Sequence, residues 1–243
     1  MKHTLNEYIT VIKSLPIKNK YTKEEILTKD FLIDKNGDLE IYYAPHNEYI
    51  NKSAKVFIVG ITPGFQQMST SIASARVGIN DCKSIEEIQY ECKVAGRFSG
   101  SLRKNIIDML DEIYLNKALD LNSCDELFKD KDYLLHTTSL IPYSVFFKGN
   151  NYTGHNPKLI KSDFLMSYVY ENLKENIDNL GDVLIIPLGK AVEEVLNKLV
   201  IENIIKDENI LRGFPHPSGA NGHRLVQFNE NKDSMIKIIK SRL

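Results

Sequence analysis

Apolar residues recur along the chain with two different periods, and each period predicts its own kind of element. Leu5, Tyr8, Ile9 and Ile12 fall at the three- and four-residue spacing of one helical face, which predicts a helix over 4–13 that ends before Pro16. Phe31-Leu32-Ile33 and Leu39-Glu40-Ile41-Tyr42-Tyr43 flank Asn36-Gly37, a pair suited to the positive φ values of a tight hairpin turn, so a β-hairpin is expected there. Lys55-Val56-Phe57-Ile58-Val59-Gly60 is short, apolar and β-branched, as a strand covered on both faces should be. Ser84 and Glu87 form a capping box that opens a helix over about 85–95. Leu102, Ile106, Met109, Leu110 and Ile113 then mark an amphipathic helix.

The second half repeats the alternation. Tyr133–Thr138 reads as a strand, Phe164, Leu165, Tyr168, Val169 and Leu173 as a helix closed by Gly181, and Asp182–Gly189 as a third strand. Val192, Val195, Leu196 and Leu199 stripe the next helix, Ile210–Phe214 reads as a fourth strand, and a last helix is expected over about 232–242. Strands that alternate with helices predict an α/β fold, with a central four-stranded, mostly parallel sheet and helices on both faces. The carboxyl ends of such strands lie along one edge, where open α/β folds bind ligands. Thr62, Phe98, Thr137 and His216 are expected to converge there. Residues 1–50 read as a helical and hairpin appendage, and 51–243 as the main domain.

Composition narrows the setting. A chain of 243 residues, 42% hydrophobic and 26% charged, suits one such domain with an appendage. No apolar run is long enough to span a membrane, and the first residues lack the apolar core of a signal peptide, so a cytoplasmic protein without membrane contact is expected. Cys82, Cys92 and Cys124 are odd in number and form no Cys-x-x-Cys pair. That argues against a disulfide framework and against a cysteine-held metal, and reduced thiols in or near the core are expected. A net charge of −1 argues against a protein that coats nucleic acid without specificity, but allows a local basic face.

Three loops carry candidate chemistry. Ile61-Thr62-Pro63-Gly64-Phe65 follows the first core strand, and it lacks both the Gly-x-Gly-x-x-Gly dinucleotide fingerprint and a phosphate-binding Gly-Lys-Ser/Thr. Gly213-Phe214-Pro215-His216-Pro217-Ser218-Gly219 holds His216 between two prolines, which fix the backbone and keep Phe214 and His216 extended. Arg212, His216, His223 and Arg224 have no acidic residue among them. Residues 143–157 read as a long polar loop, with Phe146, Phe147, Lys148, Tyr152 and His155 available to shape a pocket or grip DNA.

Taken in order, these segments resemble the uracil-DNA glycosylase superfamily over about residues 54–242. Val59-Gly60-Ile61-Thr62-Pro63-Gly64 resembles the first motif, closest to the Gly-x-Asn-Pro-Gly form. Gly96-Arg97-Phe98-Ser99-Gly100 resembles the segment whose phenylalanine stacks on a flipped base. Leu134–Thr138 resembles the strand that ends in a base-reading asparagine, Ile185–Ala191 the third strand and its helix start, and His216-Pro217-Ser218-Gly219-Ala220-Asn221 the second catalytic motif with its DNA-intercalating loop. The resemblance implies a three-layer α/β/α fold and a monomeric DNA glycosylase with no cofactor and no metal. It implies His216 and Thr62 as catalytic, and Ile61, Gly64, Phe65, Phe98, His136 and Thr137 around the base. Ser218, Gly219, Asn221, His223, Arg224 and Lys190 would lie on DNA.

The chemistry accounts for these residue types. Breaking an N-glycosidic bond develops positive charge on the sugar and negative charge on the leaving base, and a rigid imidazole can donate to the latter. The base must leave the stack and be read along its edge. Two positions depart from the family: Thr62 stands where Asp or Asn is usual, and the base-reading asparagine is replaced by His136 or Thr137, depending on alignment. An altered base preference is therefore expected, for a modified cytosine in foreign DNA or for uracil, in repair or in defence. The alternative is a glycosylase-fold module that binds DNA or a flipped base without cleaving it. An enzyme acting on free nucleosides or another small molecule is a third reading.

Overall fold

In the computed structural model, which describes residues 2–243, the two hydrophobic patterns build two different sheets. In chain order the elements are α1 (Leu5–Ser14), α2 (Lys23–Ile26), β1 (Leu32–Asn36), β2 (Leu39–Tyr42), β3 (Val56–Gly60), α3 (Phe65–Asn80), α4 (Ile85–Gly96), α5 (Gly100–Glu112), α6 (Leu115–Ala118), β4 (Leu135–Ser139), β5 (Ser144–Phe147), β6 (Asn150–Asn151), α7 (Asp163–Leu180), β7 (Leu184–Pro187), α8 (Lys190–Ile201) and α9 (Arg224–Arg242). They group into two compact units. The first holds the residues up to Ile50, Ile61–Arg97 and Ser139–Glu175; the second holds Asn51–Gly60, Phe98–Thr138 and Asn176–Leu243. The units interleave along the chain, so the expected division at residue 50 is one of several crossings between them.

In the first unit β1-β2-β5-β6 form an antiparallel sheet. The β1–β2 hairpin turns at Gly37, whose φ of +58° is the value the Asn-Gly signal called for. The expected long polar loop over 143–157 is different in kind. Its first part is the hairpin β5–β6, which adds to β2 and closes through Lys148 (φ +50°) and Gly149 (φ +72°). Val145, Phe146 and Tyr152 are buried in it, which supplies the apolar area that holds it to the unit. Helix α3 had no clear apolar stripe in the sequence, because two of its buried positions are Ser69 and Ser71. Ser69 is satisfied by Tyr21: its Oγ accepts from the Tyr21 amide at 2.7 Å and donates to the Tyr21 carbonyl at 2.9 Å.

The same unit buries charge. Glu48 accepts from the Leu5 amide at 2.9 Å, from Gln89 at 2.9 Å and from the Tyr43 hydroxyl, while burial raises its pKa. Lys93 is 5% exposed, and its ammonium donates to Asn47 Oδ1 at 3.1 Å. Burial, with the nearby Arg97 cation, lowers its pKa from 10.5 to about 7. The unfolded chain then holds this proton more tightly than the folded one between those two values. By linkage, stability rises as pH rises through that window and is lost as pH falls toward 7. Urea unfolding at pH 7 and pH 9 should accordingly give the larger unfolding free energy at pH 9, and a Lys93→Met variant should lose that slope.

In the second unit β4-β3-β7 form a three-stranded parallel sheet, with Val56 opposite Leu184 and Val59 opposite Pro187. Its core gathers Val56, Ile58, Ile106, Leu110, Leu127, Ile186, Leu211, Phe214 and Phe228. The fourth segment, Ile210–Phe214, departs from the expected strand. It makes a single parallel bridge between Ile210 and Ile185, with the Leu211 amide on the Ile185 carbonyl at 2.8 Å. Gly213 turns to a φ of +81° and Pro215 has no N–H, so the ladder cannot continue. The last helix begins at Arg224, earlier than the apolar stripe suggested. Cys92 and Cys124 are buried and Cys82 is exposed. Among the described residues, no helix is long and apolar enough to cross a membrane.

Candidate active site

The loop after β3 belongs to the first unit and brings Ile61, Thr62, Gly64 and Phe65 together. Every one of them is held in place. The Ile61 carbonyl accepts from the Ile141 amide at 3.1 Å. Thr62 Oγ1 donates to the Tyr143 carbonyl at 2.6 Å and accepts from the Val145 amide at 3.0 Å, so its hydroxyl bridges the loop to β5. Gly64 caps α3, its amide donating to Gln67 Oε1 at 3.1 Å, and the other end of Gln67 donates to the Gly96 carbonyl at 2.8 Å. The Phe65 amide donates to Asn151 Oδ1 at 3.0 Å. Two amides expected to meet a base are thus engaged by the side chains of Gln67 and Asn151. A hydroxyl that both donates and accepts keeps one lone pair. Thr62→Val should remove both bonds and destabilise the protein by about 1–3 kcal/mol, whereas Thr62→Ser should stay close to wild type; denaturant titration of the two variants measures the difference.

The second unit holds the remaining candidates. His216 is exposed between the buried Pro215 and Pro217. Its Nδ1 accepts from the Ser218 amide at 3.2 Å, which assigns the proton of the neutral ring to Nε2. The loop beyond it is tied to itself. Ser218 Oγ accepts from the Ala220 amide at 3.1 Å, Asn221 Nδ2 donates to the His216 carbonyl at 3.2 Å, and Asn221 Oδ1 accepts from the His223 amide at 3.3 Å. Arg224 donates to the Ser218 carbonyl at 3.1 Å, and Asn105 donates to the Pro217 carbonyl at 2.8 Å. Gly189 backs the imidazole: a Cβ built there would lie 2.8 Å from the His216 Cβ. Lys190 follows Gly189 as the exposed first residue of α8. Ser218, Gly219, Asn221, His223 and Arg224 therefore do form one loop with His216.

Phe98, His136 and Thr137 are placed differently. Phe98 is 9% exposed and packs in the core of the second unit, as core phenylalanines do. His136 is 1% exposed. Its Nδ1 accepts from the Asn51 amide at 3.4 Å, its Nε2 meets Asn176 Oδ1 at 2.7 Å, and its ring lies against Phe57. Both nitrogens are engaged in the manner of a buried structural histidine. Thr137 is buried on β4. No local signal in the sequence marks Asn151, which lies in a stretch that reads as a polar loop. Nor does any mark the packing role of Gly189, which only its φ of +91° and its neighbour His216 reveal.

The chain is 41% identical over 238 residues to the uncharacterized protein YoxB of Bacillus subtilis (strain 168), a match that covers 98% of this chain and 92% of YoxB. The chain belongs to the YoxB family. Its YoxB-family sequence is also 31% identical over 153 residues to ribosomal RNA small subunit methyltransferase A of Borrelia garinii subsp. bavariensis, covering 58% of this chain and 53% of the methyltransferase. The same protein of Borreliella burgdorferi (strain ZS7) matches to the same extent. No protein-family model matches this YoxB-family chain. No solved structure matches it either.

Proposed function

We propose that this protein hydrolyses the N-glycosidic bond of an aberrant or modified base flipped out of DNA. The observation that carries the reading is His216: an imidazole held between two prolines, whose Nδ1 accepts from the Ser218 amide, so that the neutral ring carries its proton on Nε2. Such a group donates to the base as negative charge develops on it. When the bond from the sugar carbon to the base nitrogen breaks, the electron pair leaves with the base, a hydrogen bond from His216 steadies its negative charge, and water adds its oxygen to the sugar while the proton it loses ends on the base. Ser218, Gly219, Asn221, His223, Arg224 and Lys190 are the proposed DNA contacts. Phe98, His136 and Thr137 are not part of this proposal: all three are buried, Phe98 within the apolar core and His136 with both ring nitrogens engaged.

A three-layer, glycosylase-like arrangement and a monomer working in the cytoplasm belong to the same proposal. The test is a panel of single- and double-stranded oligonucleotides bearing uracil, hypoxanthine, xanthine or modified cytosines, followed by alkaline cleavage at abasic sites. Release of at least one base supports hydrolysis. The second reading, a module that binds a flipped base without cleaving it, is favoured by the two-sided engagement of the Thr62 hydroxyl. Selective binding of one modified strand with no abasic product would establish that reading instead.

A further inference from the structure

The tautomer of His216 depends on one peptide group. The Ser218 amide that donates to His216 Nδ1 at 3.2 Å belongs to the same planar unit as the Pro217 carbonyl. Pro217 is buried and its ring fixes φ, so the unit keeps one local rotation, about the Pro217 ψ. That rotation swings the carbonyl oxygen and the Ser218 N–H together. A group that holds the oxygen therefore aims the N–H.

Asn105 holds it. Its Nδ2 donates to the Pro217 carbonyl at 2.8 Å, across 112 positions of the chain. Asn105 lies on α5 beside Ile106, which is fully buried in the core of the second unit together with Met109 and Leu110. The anchor is thus a helix seated in the core. Arg224 Nη1 also faces the Pro217 carbonyl, at 3.4 Å, but its shorter bond, 3.1 Å, goes to the Ser218 carbonyl. Asn221 holds the His216 carbonyl instead. Asn105 therefore makes the shortest of these bonds to the peptide group that faces the imidazole. A donor on the carbonyl also polarises the peptide, which strengthens its N–H as a donor. All of these residues lie in the second unit.

We infer that Asn105 is a positioning residue for His216: acting through the Pro217–Ser218 peptide group, it keeps the neutral imidazole protonated on Nε2 and its ring fixed in direction. Asn105 touches no reacting atom. Its effect on base release rests on the proposed function, whereas its effect on the ring does not.

The experiment records the ring-nitrogen NMR signals of His216 in wild-type protein, Asn105→Ala and Asn105→Asp, at a pH where the ring is neutral; their loss in His216→Ala assigns them. Asn105→Asp keeps the size of the side chain and puts an acceptor against the carbonyl. Wild-type protein should carry the proton on Nε2. In both variants the share protonated on Nδ1 should rise by about fivefold, the ratio that one hydrogen bond of ordinary net strength supplies. Melting curves establish that the variants are folded, and either one serves if the other is not. On the base identified by the oligonucleotide panel, kcat should fall by about tenfold with KM little changed, because a donor held in the wrong direction binds substrate as before but meets the leaving base poorly. A wild-type ring protonated on Nδ1 overturns the inference, and this outcome needs no variant. So does an unchanged tautomer in the folded variants, even where their rates fall. A shifted tautomer with an unchanged kcat supports the positioning of His216 by Asn105 and overturns the donor role proposed for His216. No base release by wild-type protein overturns the proposed hydrolysis, and the tautomer comparison still decides this inference.

Discussion

Replacing His216 by alanine should slow base release by at least about a hundredfold, with the change in kcat and little change in KM. The expected size follows from what is lost. A donor fixed where negative charge appears acts on the transition state far more than on the bound base, and removing one such donor elsewhere lowers kcat by about 10²–10³-fold. The position also predicts what should stay unchanged. His216 is exposed, and Pro215 and Pro217 hold the backbone without it, so the variant should fold normally. Single-turnover kinetics on the base identified by the oligonucleotide panel, paired with a melting curve, make the comparison. A rate near that of the wild type would take His216 out of the mechanism and favour the binding-module reading.

Gly189→Ala should be the most damaging conservative change near this imidazole. Gly189 adopts φ +91° and ψ 170°, a region that side-chain-bearing residues scarcely enter. Its amide donates to the Phe214 carbonyl at 3.1 Å, which joins the end of β7 to the His216 segment. A methyl group there would meet the His216 Cβ at 2.8 Å and its backbone nitrogen at 3.2 Å. Neither contact can be relieved by rotating a flexible side chain, because both atoms belong to a segment stiffened by prolines. Backbone strain and overpacking each cost about 1–3 kcal/mol, so a loss of at least about 2 kcal/mol is expected. Urea denaturation measures it. Base release should fall as well, since the substitution pushes the imidazole from its seat. A variant with wild-type stability and rate would show that the two segments can move apart freely.

Asn151 and Phe98 show where the sequence was legible and where it was not. The helices over α1, α4, α5, α7 and α8 could be read because their apolar stripes and the Ser84 cap are local signals. The strands β3 and β7 could be read because a buried parallel strand is an apolar run. The β5–β6 hairpin was hidden because its turn is Lys148-Gly149, not Asn-Gly, and because polar residues outweigh apolar ones beyond it. Phe98 sits in a glycine-bounded loop whether its ring faces a ligand or the core, and its spacing is the same in both cases.

By itself, the sequence determined the alternation of strands and helices, the hairpin at Gly37 and the rigid presentation of His216 between two prolines, because each depends on residues close together in the chain. Only the tertiary structure decided that Ile210–Phe214 makes one bridge instead of a strand, that His136 and Phe98 are core residues, and that Thr62 and Asn151 bind a hairpin and a loop eighty or so positions apart. Those outcomes turn on which hydrogen-bond partners and packing neighbours the folded chain brings within reach of a group, and no local pattern of apolar and polar residues carries that information.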